Sequence, residues 1–206
     1  MTIKATIWDF SGVLVQPKTA DPHAQLAHEL GIPAETLMHY FDSTENWQMD
    51  RGLETQANYI QRMIDEQSLP QSAVALVENF FLTRYVLDSQ LISFIHSTRP
   101  AHKTALCSNF SDVLRVQITE RWKITDLFDV IVISSEVGQV KPEPGIYHLT
   151  LTRLGILPEE AIFIDDQENN VAGAQAVGLH GIIFRNTEDT ISEVNKIRKS
   201  QCEDKK

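Results

Sequence analysis

The segment Ile3-Lys4-Ala5-Thr6-Ile7-Trp8-Asp9-Phe10-Ser11-Gly12-Val13-Leu14-Val15 decides how the rest of the chain is read. It opens as a short apolar-rich run that stops at an aspartate, turns at Ser11-Gly12 and resumes as a second apolar run from Val13. That pattern predicts a strand, a loop and a short extension, with Asp9 at the carboxyl end of the strand. From Asp21 onward the periodicity becomes helical: Asp21 stands as N-cap before Pro22, Leu26 and Leu30 share a face, and Gly31 closes the helix. Further helices are expected over 33–41, 53–66 and 71–85, with breaks at Asp50-Arg51-Gly52 and Leu69-Pro70.

Beyond Asp88 the pattern alternates. Helices are expected over 90–97, 112–122, 145–154, 170–177 and 191–199, and strands over 103–107, 130–133, 161–164 and 181–184. Strands alternating with helices predict an α/β fold with a parallel sheet covered on both faces. Residues 1–16 and 89–206 would form this core, and 17–88 an all-helical insert. Ligands in such sheets bind beyond the carboxyl ends of the strands. Asp9, Ser108-Asn109 and Asp165-Asp166 all follow strands and should therefore converge on one crevice, joined by Lys141 if the loop 134–144 folds over the same edge.

Bulk composition narrows the function classes. A chain of 206 residues with 42% hydrophobic content is long enough for one α/β core and a smaller insert. Its 28 acidic and 18 basic residues give a formal charge of -10, and no basic patch is visible, so a nucleic-acid partner is not expected. The one dense charge cluster, 196–206, mixes both signs and reads as a solvated, fraying end. Cys107 and Cys202 lie in unrelated contexts, which suggests neither a disulfide framework nor a metal cluster and fits a reducing cytoplasm. The chain enters its strand pattern without a cleavable apolar segment, and no run approaches the length of a membrane span. A cytoplasmic protein without a membrane partner is the expectation.

The strand-end residues carry the chemistry. A carboxylate there can attack phosphorus or an activated carbon and give an intermediate that water cleaves; a lone aspartate serves equally well as a turn former. The partners of Asp9 bear on that choice. Asp165 and Asp166 bring two more carboxylates to the same edge, and that much negative charge needs compensation. Magnesium would supply it, since oxygen-only sites suit this cation, whereas zinc would call for His or Cys ligands. The pair is also what a helix N-terminus favours through its dipole. Lys141, flanked by Pro142 and Pro144 in a stiffened loop, would stabilise a phosphoryl group, and Ser108 and Asn109 offer donors to phosphate oxygens.

Taken in order, these residues resemble the motifs of the haloacid dehalogenase superfamily over essentially the whole chain. Asp9-Phe10-Ser11-Gly12-Val13-Leu14 resembles its first motif, Ser108-Asn109 its second, Lys141-Pro142 its third and Ile164-Asp165-Asp166 its fourth. The stretches Val140 to Tyr147 and Asn170 to Ala174 are similar to family members as well. The resemblance implies a Rossmann-like core with a parallel sheet and a small all-helical cap inserted after the first strand. It further implies magnesium held by Asp9, the backbone carbonyl of Ser11 and Asp166, with Asp165 in or next to that set. Lys141 and Ser108 would steady the phosphoryl group, with Asn109 beside them, and Trp47, Arg51 and Gly52 of the cap would overlook the substrate.

One departure qualifies the expected reaction. Phosphatases of this family usually carry a second aspartate, a general acid and base, where this chain has Ser11. Losing such a group slows a reaction by about 100 to 10,000-fold. Substrates with good leaving groups, such as sugar 1-phosphates, acyl phosphates or aryl phosphates, would suffer least. The expectation is a magnesium-dependent phosphatase acting on a small phosphorylated metabolite through Asp9, with a homodimer compatible with the sequence. Two other readings stay open: a metal-independent 2-haloacid dehalogenase, and a weakly active or non-catalytic phospho-ligand-binding module.

Overall fold

Strand residues of alternating orientation pack two separate layers, and this divides the molecule. The computed structural model describes residues 2–42 and 46–203. In chain order it comprises β1 (Ala5–Trp8), β2 (Val15–Pro17), α1 (Pro22–Leu30), α2 (Ala34–Asp42), α3 (Asn46–Asp50), α4 (Gln56–Glu66), α5 (Ala73–Thr83), β3 (Tyr85–Leu87) and α6 (Ser89–Thr98). There follow β4 (Lys103–Ser108), α7 (Leu114–Val116), β5 (Val130–Ile133), α8 (Ser134–Val137), α9 (Pro144–Leu154), β6 (Ala161–Asp165), α10 (Glu168–Val177), β7 (His180–Ile183) and α11 (Thr187–Glu203).

Five strands form one sheet in the order β5-β4-β1-β6-β7, and every pairing in it is parallel. Ala5 and Ile7, Ala105 and Cys107, and Ala161 and Phe163 face a layer that includes Ile146, Leu151 and Ala174 of α9 and α10. Their neighbours Trp8, Leu106, Ile162 and Ile164 point the other way, toward Leu91 and Ile95 of α6 and Val194 of α11. This two-sided burial explains the near-continuous apolar runs of the strands. β1 sits between β4 and β6, and the chain builds outward from it in both directions. That arrangement opens a crevice at the carboxyl ends of the central strands.

Helices α1 to α5 have a separate core built around Leu26, Leu37, Tyr59, Ile60, Met63 and Val77. Local signals set their ends. Asp21 Oδ1 accepts the Ala24 N–H at 2.8 Å, Thr55 caps α4 through the Asn58 N–H at 3.2 Å, and Gly31 ends α1 at φ +70°. The helical block hangs from two antiparallel strands, with Val15 opposite Leu87 and Pro17 opposite Tyr85.

Several boundaries differ from expectation for tertiary reasons. Tyr85 was expected in a helix but starts β3, because Pro17, distant in sequence, lies opposite it. The expected helix 53–66 begins only at Gln56, since Thr55 is its cap and Leu53 is exposed. The expected helix 112–122 is one short turn followed by a wide π-turn (Gln117–Arg121), in which the Trp122 N–H reaches the Gln117 carbonyl at 3.0 Å. Trp122 then packs against Phe10, their ring centroids 5.0 Å apart. The loop 134–144 contains the short α8, and the last helix extends to Glu203, so most of the expected fraying end is helical.

The helical block is seated on the core through a close backbone approach. Gly52 has φ +70°, and a Cβ there would lie 2.1 Å from the Ser135 carbonyl oxygen. Gly52→Ala is therefore expected to combine a steric clash with a left-handed backbone cost of about 1–3 kcal/mol. Urea unfolding should record the loss, and hydrogen exchange should accelerate around 50–56 while the interior of α4 stays protected.

Candidate active site

Parallel pairing places the strand-end residues side by side. Trp8 lies between Leu106 and Ile164, and the Asp9 N–H donates to the Ile164 carbonyl at 2.9 Å. Asp9, Ser108 and Asp165 thus share one edge of the sheet. The loop after Asp9 is tight: Leu14 and Val15 both donate to the Phe10 carbonyl, at 2.9 and 3.0 Å, and Gly12 N–H donates to Val15 O at 2.9 Å. Gly12 has φ +79°, and a Cβ on it would come within 2.5 Å of Asp166 Oδ2. Only glycine lets the Asp166 carboxylate rest against this loop.

Lys141 crosses to these carboxylates from the loop between α8 and α9. Its Nζ lies 2.7 Å from Asp9 Oδ1 and 2.5 Å from Asp165 Oδ2, and its side chain is 1% exposed. Asp165 is itself held, because its carboxylate also accepts the Gln167 N–H at 2.8 Å and Asn170 Nδ2 at 3.1 Å. Asn109 grips the lysine main chain from both sides, accepting from Lys141 N–H at 2.8 Å and donating to Lys141 O at 2.9 Å.

The electrostatics follow from burial. Desolvation pushes the Asp9 carboxyl up to about 7, even though Lys141 pulls it down. Burial works against the charge on Lys141, but Asp9 and Asp165 beside it hold the ammonium above its ordinary range. Asp166 is raised, chiefly by burial. Oxygens of Asp9, Asp165 and Asp166 all lie within 4.8 Å of one another. Three carboxylates against one ammonium leave a formal charge of -2 (−3 + 1) in a largely dry site. The donors are oxygens alone, so the set fits a hard divalent cation. Ser108 stands nearby at 1% exposure with its Oγ lacking a hydrogen-bond partner among the described residues. Burial drives the neighbouring Cys107 thiol up to about 11, which leaves it no nucleophile at neutral pH.

Above this edge lies a cavity of about 240 Å³ between core and helical block. Ser11, Asn109, Phe110 and Ser111 form its floor; His23, Phe41, Met49, Asp50, Gln56, Phe81, Arg84 and Tyr85 form the walls. Side-chain bonds latch the two parts together. Ser111 Oγ donates to Gln56 Oε1 at 3.0 Å, the Gln56 N–H donates to Asp112 Oδ1 at 2.9 Å, and Arg51 pairs with Glu143, two residues beyond Lys141.

The sequence-chosen residues thus separate into groups. Asp9, Lys141, Asp165, Asp166 and Ser108 come together at the strand ends, with Ser11 facing the cavity beside them. Asn109 lines the cavity floor, yet its side-chain amide is turned onto Lys141. Arg51 is engaged with Glu143 and the Gly138 carbonyl at the rim, and the side chain of Trp47 lies outside the described residues. Asp50 and Gln56 also line the cavity without belonging to any motif visible in the sequence. Asp50 lies in the Asp50-Arg51-Gly52 segment, whose pattern predicts only a break between helices, and Gln56 carries no motif signal at all.

Comparison with known proteins agrees with this architecture. The family model for haloacid dehalogenase-like hydrolases matches residues 3–178. Bifunctional epoxide hydrolase 2 of Mus musculus is 25% identical over 98% of this chain and 40% of that protein. The chain thus spans about two fifths of that relative's length. A HAD-like family hydrolase of Porphyromonas gingivalis superposes with a TM-score of 0.81 at 22% identity, covering 96% of this chain and 98% of that one. A HAD family enzyme variant of Bacteroides thetaiotaomicron, in complex with magnesium and inorganic phosphate, superposes with a TM-score of 0.77 at 22% identity, covering 89% and 94%. No helix among the described residues is long and apolar enough to cross a membrane. With the family match running from β1 through α10, this chain belongs to the haloacid dehalogenase-like hydrolases.

Proposed function

We propose that this hydrolase is a magnesium-dependent phosphatase that attacks a small phosphorylated metabolite, such as a sugar 1-phosphate, with Asp9. One observation carries the reading: Lys141 is wedged between Asp9 and Asp165 while a third carboxylate, Asp166, completes a site two positive charges short of neutrality. A divalent cation would bring such a site to neutrality, and phosphate oxygens could then bind between that cation and the Lys141 ammonium. A haloacid would instead bring its own carboxylate toward three others. The phosphatases among similar proteins and the magnesium and phosphate bound by a structural neighbour support the same reading.

In this mechanism residues 1–16 and 89–206 are the catalytic core, and 17–88 the cap that closes over the substrate. Asp9, the Ser11 carbonyl and Asp166 hold magnesium, which when bound supplies charge to phosphate oxygens and favours the ionised Asp9. Asp165 belongs to the same acidic cluster, but its bonds to Lys141, Gln167 and Asn170 assign it to fixing the lysine. An Asp9 carboxylate oxygen attacks phosphorus, the bond to the leaving oxygen breaks, and water then releases phosphate from the aspartyl ester. Lys141 stabilises charge on the transferring group, and the unpartnered Ser108 hydroxyl donates to one of its oxygens.

A panel of phosphometabolites with and without magnesium tests the proposal. Hydrolysis should vanish on chelation and return with magnesium, whereas metal-free release of halide from a 2-haloacid would refute the reading. Asp9→Asn should reduce p-nitrophenyl phosphate hydrolysis to background, and unchanged activity would exclude Asp9 as nucleophile. Ser108→Ala removes one hydrogen bond to a charged group, worth about 1.5–3 kcal/mol, so kcat/KM should fall roughly 10 to 150-fold.

A further inference from the structure

Ser11 leaves the first chemical step without a proton donor for the departing oxygen. Within the core, Lys141 is shared between two carboxylates, Asp165 is held by Lys141, Gln167 and Asn170, and the proposed mechanism already commits Asp166 to the metal and Ser108 to a phosphoryl oxygen. The donor must come from a wall of the cavity that Ser11 faces. Among the described residues lining that cavity, Asp50 is the sole carboxylic acid.

We propose that Asp50, the last residue of α3 on the cap, protonates the leaving oxygen and later activates water, filling the role for which Ser11 has no group. This assignment rests on the phosphatase reading above. Three features of the structure place Asp50 for it. The first is its location, on the same cavity as Ser11 and within the electrostatic reach of Lys141. The second is its availability: its carboxyl group has no hydrogen bond or ion pair among the described residues. The third is its rigidity, because the following two residues are both anchored to the core, Arg51 on Glu143 and Gly52 against the Ser135 carbonyl.

The environment suits an acid that must gain and lose a proton near neutrality. Burial pushes the Asp50 carboxyl up to about 6, against the opposing pull of Lys141. Among the described residues, the other charged or titratable groups on the cavity are His23 from α1, Arg84 at the end of α5 and Tyr85 of β3. His23 is the one competitor with a suitable proton, but its ring is stacked at 5.2 Å on Phe41 and tilted over Phe80. In the forward step Asp9 bonds to phosphorus as the phosphorus–oxygen bond to the leaving group breaks, and the proton of neutral Asp50 passes to that oxygen. In the second step the Asp50 carboxylate takes a proton from water as the water oxygen bonds to phosphorus. The aspartyl ester then releases phosphate, and Asp9 and Asp50 return to their starting states.

Leaving-group dependence tests this directly, with p-nitrophenyl phosphate and glycerol phosphate as substrates in the presence of magnesium. Asp50→Asn should depress kcat on glycerol phosphate by about 100-fold or more. The fall on p-nitrophenyl phosphate, whose leaving group needs little protonation, should be at least tenfold smaller. Asp50→Glu, which keeps an acid on a longer arm, should retain more glycerol phosphate activity than Asp50→Asn, and Ser11→Asp should restore it in the Asp50→Asn background. Equal losses on both substrates, no loss, or a selective loss produced by His23→Ala instead would overturn the assignment of Asp50. A wild-type protein inactive on both esters, or an Asp9→Asn variant that stays active, would overturn the phosphatase reading and this assignment with it.

Discussion

An ammonium group buried to 1% exposure is tolerated only where opposite charge meets it directly, and Lys141 meets two carboxylates at 2.7 and 2.5 Å. Those carboxylates stand at the ends of β1 and β6, while Asn109, which grips the lysine main chain, follows β4. The pairing is therefore satisfied only when the three strands lie in the order β4-β1-β6 with their carboxyl ends level. Sheet register and charge balance are two views of one constraint. The lysine also leaves the constraint incomplete, because one cation cannot neutralise three carboxylates, and the remaining imbalance equips the site for a metal ion.

The glycines at the two critical contacts act through absence. Gly12 admits the Asp166 carboxylate against the loop after β1, and Gly52 admits the Ser135 carbonyl against the helical block. The first contact shapes the acidic cluster and the second sets the depth at which the cap rests. Around the second, Arg51 with Glu143 and Gln56 with Ser111 and Asp112 tie the block to loops that carry Lys141 and Asn109. The helical block and the loops that carry Lys141 and Asn109 are thereby joined by the same side-chain bonds.

Much of this was legible in the chain because its signals are local. The apolar run into Asp9, the Asp21-Pro22 helix start, the Gly31 stop and the strand–helix alternation after Asp88 each follow from short-range stereochemistry, and they appear where expected. The convergence of the carboxylates was also readable, since a residue that follows a parallel strand is carried to the ligand-binding edge, whereas Lys141 joined them only on the condition that the loop 134–144 folds over that edge. Illegible were features that arise between distant segments. β3 exists because Val15–Pro17 lies opposite Tyr85–Leu87, and the π-turn after α7 brings Trp122 onto Phe10.

The sequence by itself determined the strand ends and the acidic and basic residues placed there, because strand periodicity and residue type are local properties, and its resemblance to the family marked Ser11 as the position of a missing acid. Only the tertiary structure decided that Asn109 spends its side chain on Lys141, that Arg51 latches the cap to Glu143 and that Asp50 faces the same cavity as Ser11. Each of these depends on where two segments separated by tens of residues come to rest, and that is settled by packing and charge neutralisation across the whole fold.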